Sequence, residues 1–270
     1  MNGGYGAFSH SSQIIHLGQY TSELNEFGKG NPIVMVPGLA GGAGLLGPLA
    51  QRLSERCRVF SYQLRGENDC FILRHPFDMD DLVEDLAELL DKLKLEQPTL
   101  MGVSFGGIIA LKFAIRYPYR VGRLIVQGVG AQYERGLIHQ IAGTVLSRFP
   151  LPNDSPFVNQ FFNLLFGGRK KQDALRDFVV RQVWQTDQSV MAHRFRLIEG
   201  LDLQSELHRI KAPTMILAGD RDVFVSSTSV QALVRGLPRA KYHRLPDAGH
   251  LAFVTKPELL AQRVHSFCEV

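Results

Sequence analysis

Cysteine is scarce in this 270-residue chain: Cys57, Cys70 and Cys268 make an odd number, with no Cys-x-x-Cys pair. That argues against a disulfide framework and a structural zinc site, and it suits a reducing compartment. Long apolar runs are also missing, so no segment is expected to span a bilayer. The opening "MNGGYGAFSHSSQ" has no basic stretch leading into an apolar core. No secretory leader is therefore expected, and the expected location is cytoplasmic. Charge of one sign is sparse as well. The net charge is +4, and the densest basic run, Arg169, Lys170 and Lys171, is short and lacks interleaved aromatics. It reads as a solvated loop, so no nucleic-acid partner is expected.

Cofactor signatures are equally thin. The glycine cluster "VPGLAGGAG" is not followed by Gly-Lys-Ser/Thr, as a phosphate loop requires. A dinucleotide fingerprint would want an acid at the end of the next strand, where Gln63 stands. Neither a phosphate-loop nor a dinucleotide cofactor is expected from these residues, and no metal.

What is present is an ordinary globular composition, 45% hydrophobic and 21% charged, long enough to bury a large core. Short β-branched runs alternate with helical patterns. "PIVMVPG" (32–38), "CRVFSYQL" (57–64), "TLMGVS" (99–104), "RLIVQG" (123–128), "TMILAGD" (214–220) and "KYHRLP" (241–246) are predicted strands. The clearest helix is "DMDDLVEDLAELLDKLKL", with acids in its first turn and an apolar stripe through Leu82, Leu86, Leu89, Leu90 and Leu93. Such alternation predicts an α/β fold, a parallel sheet covered on both faces. The earlier "SQIIHLGQYTSELNEFG" reads as an antiparallel hairpin at the sheet edge.

From 133 to 207 no strand is predicted, and aromatics such as Phe149, Phe157, Phe161, Phe162, Phe166, Phe178, Trp184 and Phe195 accumulate among Pro150, Pro152, Pro156 and the pair Gly167-Gly168. A helical insertion there is expected to lie over the carboxyl ends of the strands, where ligands bind in open sheets. Most of these aromatics are expected in the insertion's own core; Phe161, Phe162 and Trp184 are the candidates to face a substrate.

The sequence "GVSFG", Gly102 to Gly106, follows a predicted strand and opens a predicted helix. A serine in so sharp a turn takes strained angles, and glycines two residues before and after remove the collisions that side chains would make. Ser104 is therefore the candidate nucleophile, and the N–H of Phe105, at the helix start, a candidate oxyanion donor. A serine needs a base and the base an orienting acid. Of nine histidines, His250 in "DAGHLAF" is the one placed in a loop after the last predicted strand. His10, His16, His75, His139, His193, His208, His243 and His265 have surface or core settings by default. In "LAGDRDVFV" Asp222 is the preferred acid, because it lies further into the loop than Asp220, which reads as a brace of the turn. Asp247 is too near His250 in sequence to orient its ring.

Ser104, Asp222 and His250 in that order, each after a strand, with "GDRD" and "AGH" around the last two, resemble the α/β-hydrolase family over nearly the full length. The resemblance implies an eight-stranded, mostly parallel sheet with a core of 1–132 and 208–270, a helical lid of 133–207, and cofactor-free hydrolysis through an acyl-enzyme. It further implies a second oxyanion N–H from the loop after the first parallel strand, Leu39 first and Ala40 second. Here that loop has Pro37-Gly38 where relatives often have His-Gly. "QLRGEND" departs as well, with Gln63 in place of an acid; Arg65 and Gly66 read as structural. The expected activity is cleavage of a carboxylic ester of a small, largely apolar substrate. Carbon–carbon hydrolysis, disfavoured by Leu251 after the histidine, lactonase or acyltransferase chemistry, and a non-catalytic ligand-binding receptor are the alternatives.

Overall fold

The computed structural model describes residues 10–18, 20–67, 76–133, 143, 156–168 and 173–269. Cys70, His75, His139, Phe149, Pro150, Pro152, Arg169, Lys170 and Lys171 lie outside the described residues.

The predicted strands form at their expected places, with ends shifted by a residue or two. β1 (Ser11–Leu17) and β2 (Tyr20–Phe27) make the antiparallel edge hairpin. β3 (Asn31–Val36), β4 (Cys57–Tyr62), β5 (Thr99–Val103), β6 (Arg123–Gln127), β7 (Thr214–Gly219) and β8 (Ala240–Leu245) run parallel to one another. The eight strands are ordered β1-β2-β4-β3-β5-β6-β7-β8. From β3 the chain crosses to β4 on one side and then returns to β5 on the other. That reversal opens a crevice beyond the ends of β3 and β5, where ligands settle in sheets of this kind.

The strands alternate their side chains between two cores. Val34 and Val36 of β3, Leu100 of β5 and Leu124 and Val126 of β6 face one side. Ile33, Met35, Met101, Val103 and Ile125 face the other. Helices α2 (Met79–Lys92) and α3 (Phe105–Arg116) cover the first face, and α1 (Gly42–Leu53) and α9 (Pro257–Cys268) the second. α2 starts where its sequence says it should: Asp78 accepts from the N–H groups of Asp80 and Asp81, and the Asp81 carboxylate accepts from Asp78 N–H. Its leucines at 82, 86, 89 and 90 are buried.

Between β6 and β7 the described residues include the helices α4 (Pro156–Leu165), α5 (Asp173–Val183) and α6 (Gln188–Ile198). They are followed by a 3-10 turn, Leu207–Arg209, and after β7 by α7 (Ser227–Gly236) and the short α8 (Ala252–Thr255). Phe162, Phe166 and Phe178 are buried with the second face of the sheet. No helix among the described residues is long and apolar enough to cross a membrane. Cys57 and Cys268 are buried free thiols.

Candidate active site

Ser104 closes β5 and opens α3 with φ 50° and ψ −121°, a conformation L-residues seldom take. The neighbouring glycines make it possible. A Cβ on Gly102 would stand 2.4 Å from the carbonyl oxygen of Gly106, and one on Gly106 2.2 Å from those of Val36 and Pro37. The turn is also pinned from the side, because Ser104 N–H donates to the Gln127 carbonyl at 2.8 Å.

His250 arrives on the loop between β8 and α8, and Asp222 on the loop after β7. The His250 ring bridges them: Nε2 lies 2.8 Å from Ser104 Oγ, and Nδ1 lies 2.8 Å from Asp222 Oδ2. A carboxylate only accepts, so Nδ1 carries a proton and the neutral ring's Nε2 is left to accept from the serine hydroxyl. The other Asp222 oxygen accepts from Phe224 N–H at 2.9 Å and Val225 N–H at 3.3 Å, which fixes the carboxylate plane. Gln127, a buried residue at the end of β6, donates through its amide to the His250 carbonyl at 3.1 Å. One strand end therefore holds both the serine backbone and the histidine backbone.

Burial acts to raise the Asp222 carboxyl, but the His250 charge, its hydrogen bond and the two backbone N–H groups outweigh it, so the pKa is lowered. For His250 burial acts to lower the pKa, and the Asp222 charge and hydrogen bond overcome it, so the ring titrates above its ordinary value. Asp220 braces the loops, accepting from Ala248 N–H at 3.3 Å. Asp247 pairs with Arg221 at 3.2 Å. Two of the other histidines hold structural places: His193 Nε2 is 2.6 Å from the Phe77 carbonyl and His265 Nε2 3.2 Å from that of Leu53.

The loop after β3 lies against the serine, with Gly38, Leu39 and Ala40 lining the same cavity as Ser104 and Phe105. The N–H groups of Leu39 and Phe105 have no partner among the described residues. This loop is held from the insertion. Arg194 of α6, wholly buried, donates to the Leu39 carbonyl at 2.9 Å and the Arg65 carbonyl at 2.6 Å, and pairs with buried Glu67 at 2.5 Å. The second Glu67 oxygen accepts from Thr186 Oγ1 at 2.7 Å, and that hydroxyl accepts from Gly41 N–H at 2.9 Å. Gln63 supports the next turn, its side-chain oxygen accepting from Ala43 N–H at 3.0 Å. Arg65 forms a two-pronged pair with buried Asp85 at 2.6 and 2.8 Å.

A cavity of about 160 Å³ opens over the serine. Phe161, Leu165, Val183, Met191 and Phe195 of the insertion contribute to its wall. Two sequence candidates fall elsewhere. Phe162, one residue and about 100° around the helix from Phe161, points into the core beneath and is 2% exposed. Trp184 follows the last residue of α5 and packs against that same core, while its neighbour Val183 reaches the cavity. Phe224 was missed. It lies two residues beyond Asp222, 5.5 Å from the His250 ring and 5.4 Å from the Phe161 ring, and so walls the cavity beside the base. Its run "DVFV" carries no motif that marks it. Among the described residues no group of three or more His, Cys, Asp or Glu is placed to hold a metal ion.

Comparison with known proteins identifies the family and several relatives. A sequence profile of the family described as alpha/beta hydrolase fold matches residues 31–257. A poly(3-hydroxyalkanoate) depolymerase of Ectopseudomonas oleovorans is 25% identical over 88% of this chain and 84% of its own. A pimeloyl-[acyl-carrier protein] methyl ester esterase of Nitrosomonas europaea is 24% identical over 86% of this chain and 93% of its own. An esterase from Exiguobacterium antarcticum superposes with a TM-score of 0.85 at 20% identity, over 96% of this chain and 100% of its own, a likeness of fold.

Proposed function

The chain belongs to the α/β-hydrolase fold family, and on that premise we propose that it is a serine hydrolase cleaving a carboxylic ester of a small, largely apolar substrate. The observation that carries this reading is the unbroken chain of hydrogen bonds from Ser104 through His250 to Asp222, ending in an apolar cavity. In the first half-reaction Ser104 Oγ attacks the ester carbonyl while His250 Nε2 takes its proton. Asp222 stabilises the imidazolium that forms. The N–H groups of Phe105 and Leu39 hold the oxyanion, each worth about 3 kcal/mol in the barrier. Collapse expels the alcohol, which leaves with the proton from His250. Water, activated by the same ring, then cleaves the acyl-enzyme and regenerates the serine.

Residues 1–132 and 208–270 form the catalytic core in this reading, and 133–207 the lid. An apolar cavity of about 150 Å³ is filled by a benzene molecule, so the space over Ser104 suits one short acyl or aryl group. One relative is by name a methyl ester esterase, which favours an ester as the bond.

A fluorophosphonate probe tests the reading directly. It is expected to label the protein once, on Ser104, and to leave Ser104→Ala unlabelled. Turnover of a short aryl ester should vanish in the same variant with the fold intact. An unlabelled native protein, or a variant that still turns over, overturns it. Matched esters, thioesters and lactones then rank the bond types.

A further inference from the structure

Among the described residues, three side chains lining the cavity present a nitrogen or oxygen: Ser104, His250 and Tyr133. The first two are bonded to each other. Tyr133 is different. Its hydroxyl oxygen accepts from Gly130 N–H at 3.3 Å, and its own proton has no acceptor among the described residues. A phenol at the wall of an apolar cavity, with its donor unused by the described residues, offers a hydrogen bond that an incoming acceptor can take.

The position of this ring is built rather than incidental. Tyr133 stands where the chain leaves the sheet for the insertion, and the returning strand of chain grips it on both sides. Tyr133 N–H donates to the Leu201 carbonyl at 2.9 Å, and Gly200 N–H donates to the Tyr133 carbonyl at 3.0 Å. The next residue back, Gln132, is bridged to Asp202. A side chain on so fixed a backbone presents its donor at a set place, at little entropic cost on binding. The proton also stays on. Burial raises the phenol pKa strongly, the Gly130 amide opposes this, and the Asp222 carboxylate adds to the rise. At neutral pH Tyr133 is a donor.

We propose that Tyr133 donates a hydrogen bond to the substrate, and so selects esters whose apolar chain carries one further acceptor oxygen, as an ether, hydroxyl or carbonyl group. The other described lining side chains are apolar, which favours a neutral molecule with one such oxygen rather than several. A site that hydrogen-bonds a substrate group discriminates against the analogue lacking it, because its own polar group is then left unpaired. This inference rests on the ester-hydrolase reading for its reaction, but not for its binding contact.

The experiment is an oxygen scan. Aryl esters of straight-chain acids are compared with analogues in which one methylene after another is replaced by an ether oxygen, and alkyl esters are scanned likewise on the alcohol side. The native protein is expected to favour one oxygen position over the all-carbon ester by about tenfold in kcat/KM. In Tyr133→Phe that ratio is expected to fall to near one; the ratio is the readout, so a general change in activity cancels. A flat scan in the native protein, or a preference that survives in Tyr133→Phe, overturns the proposal. Calorimetric binding of the same pairs to Ser104→Ala, with and without Tyr133→Phe, gives the answer without turnover. If no ester is hydrolysed but the oxygen-dependent affinity is present and lost with the hydroxyl, the reaction assignment fails and the Tyr133 contact stands. Equal affinities for both members of every pair sink the contact itself. Should Tyr133→Phe not fold, Tyr133→Leu serves the same comparison, and the native scan alone is still able to refute it.

Discussion

Arg194, on the last helix of the insertion, donates to the carbonyl oxygen of Leu39, on the loop beside the serine, at 2.9 Å. It thereby fixes the peptide that joins Leu39 to Ala40, the two candidates for the second oxyanion donor. Glu67 answers its charge and, through Thr186, reaches Gly41 as well. The loop is gripped at two points by side chains of the insertion.

Replacing Arg194 by Met leaves Glu67 buried and uncompensated, which costs about 3–5 kcal/mol of stability. We expect kcat to fall by more than about tenfold with a smaller change in KM, as befits a loss felt mainly in the transition state. Adding Glu67→Gln should restore much of the stability and little of the kcat. Denaturant unfolding and steady-state kinetics on the three proteins check this; recovery of both together would make Arg194 purely a stability residue.

Asp222→Asn keeps the shape of the loop but lets an amide face His250 Nδ1, which favours the wrong tautomer. Turnover is expected to drop roughly 10⁴-fold with the circular dichroism unchanged. A loss under tenfold would assign the orienting role to another acid.

The pH profile follows from the same pair. His250 works as a base only when neutral, and its pKa lies above its ordinary 6.5 because Asp222 outweighs burial. Activity should therefore rise with pH, with its midpoint above 6.5, and fall away in acid as the ring protonates. A kcat/KM profile flat from mildly acid to neutral pH contradicts this.

Gly106→Ala places a methyl group 2.2 Å from the Val36 and Pro37 carbonyl oxygens, which are backbone atoms with nowhere to go. The expected destabilisation is about 3 kcal/mol or more, read as a shift in the unfolding midpoint. Any folded protein should be slow, because the displaced segment leads directly to Leu39.

The layout of the sheet was legible because its signals are local: β-branched runs, turn glycines and a capped amphipathic helix each declare themselves within a dozen residues. The closeness of Ser104, Asp222 and His250 was legible for a related reason, since all three follow strands whose carboxyl ends share one edge. The insertion was less readable. Nothing in the sequence says which way a helix is turned about its own axis, so Phe161 and Phe162 look alike although only one meets the cavity. Nor does any pattern tie Glu67 to Arg194, separated by 127 positions. Phe224 is nearer to a recognised motif, but an aromatic two places past an acid is common in any loop.

The insertion is stitched to the base as well as to the loop opposite it. Leu251 N–H donates to the Leu165 carbonyl at 3.2 Å, and Gly249 sits so close to Gly167 that a methyl group there would come within 2.3 Å of its nitrogen. One small helical lobe thus clasps both flanks of the chemistry. On warming, slackening of that lobe would disarm the serine while the eight-stranded platform still stands, so turnover should fade, reversibly, at a temperature below the one at which the sheet itself melts.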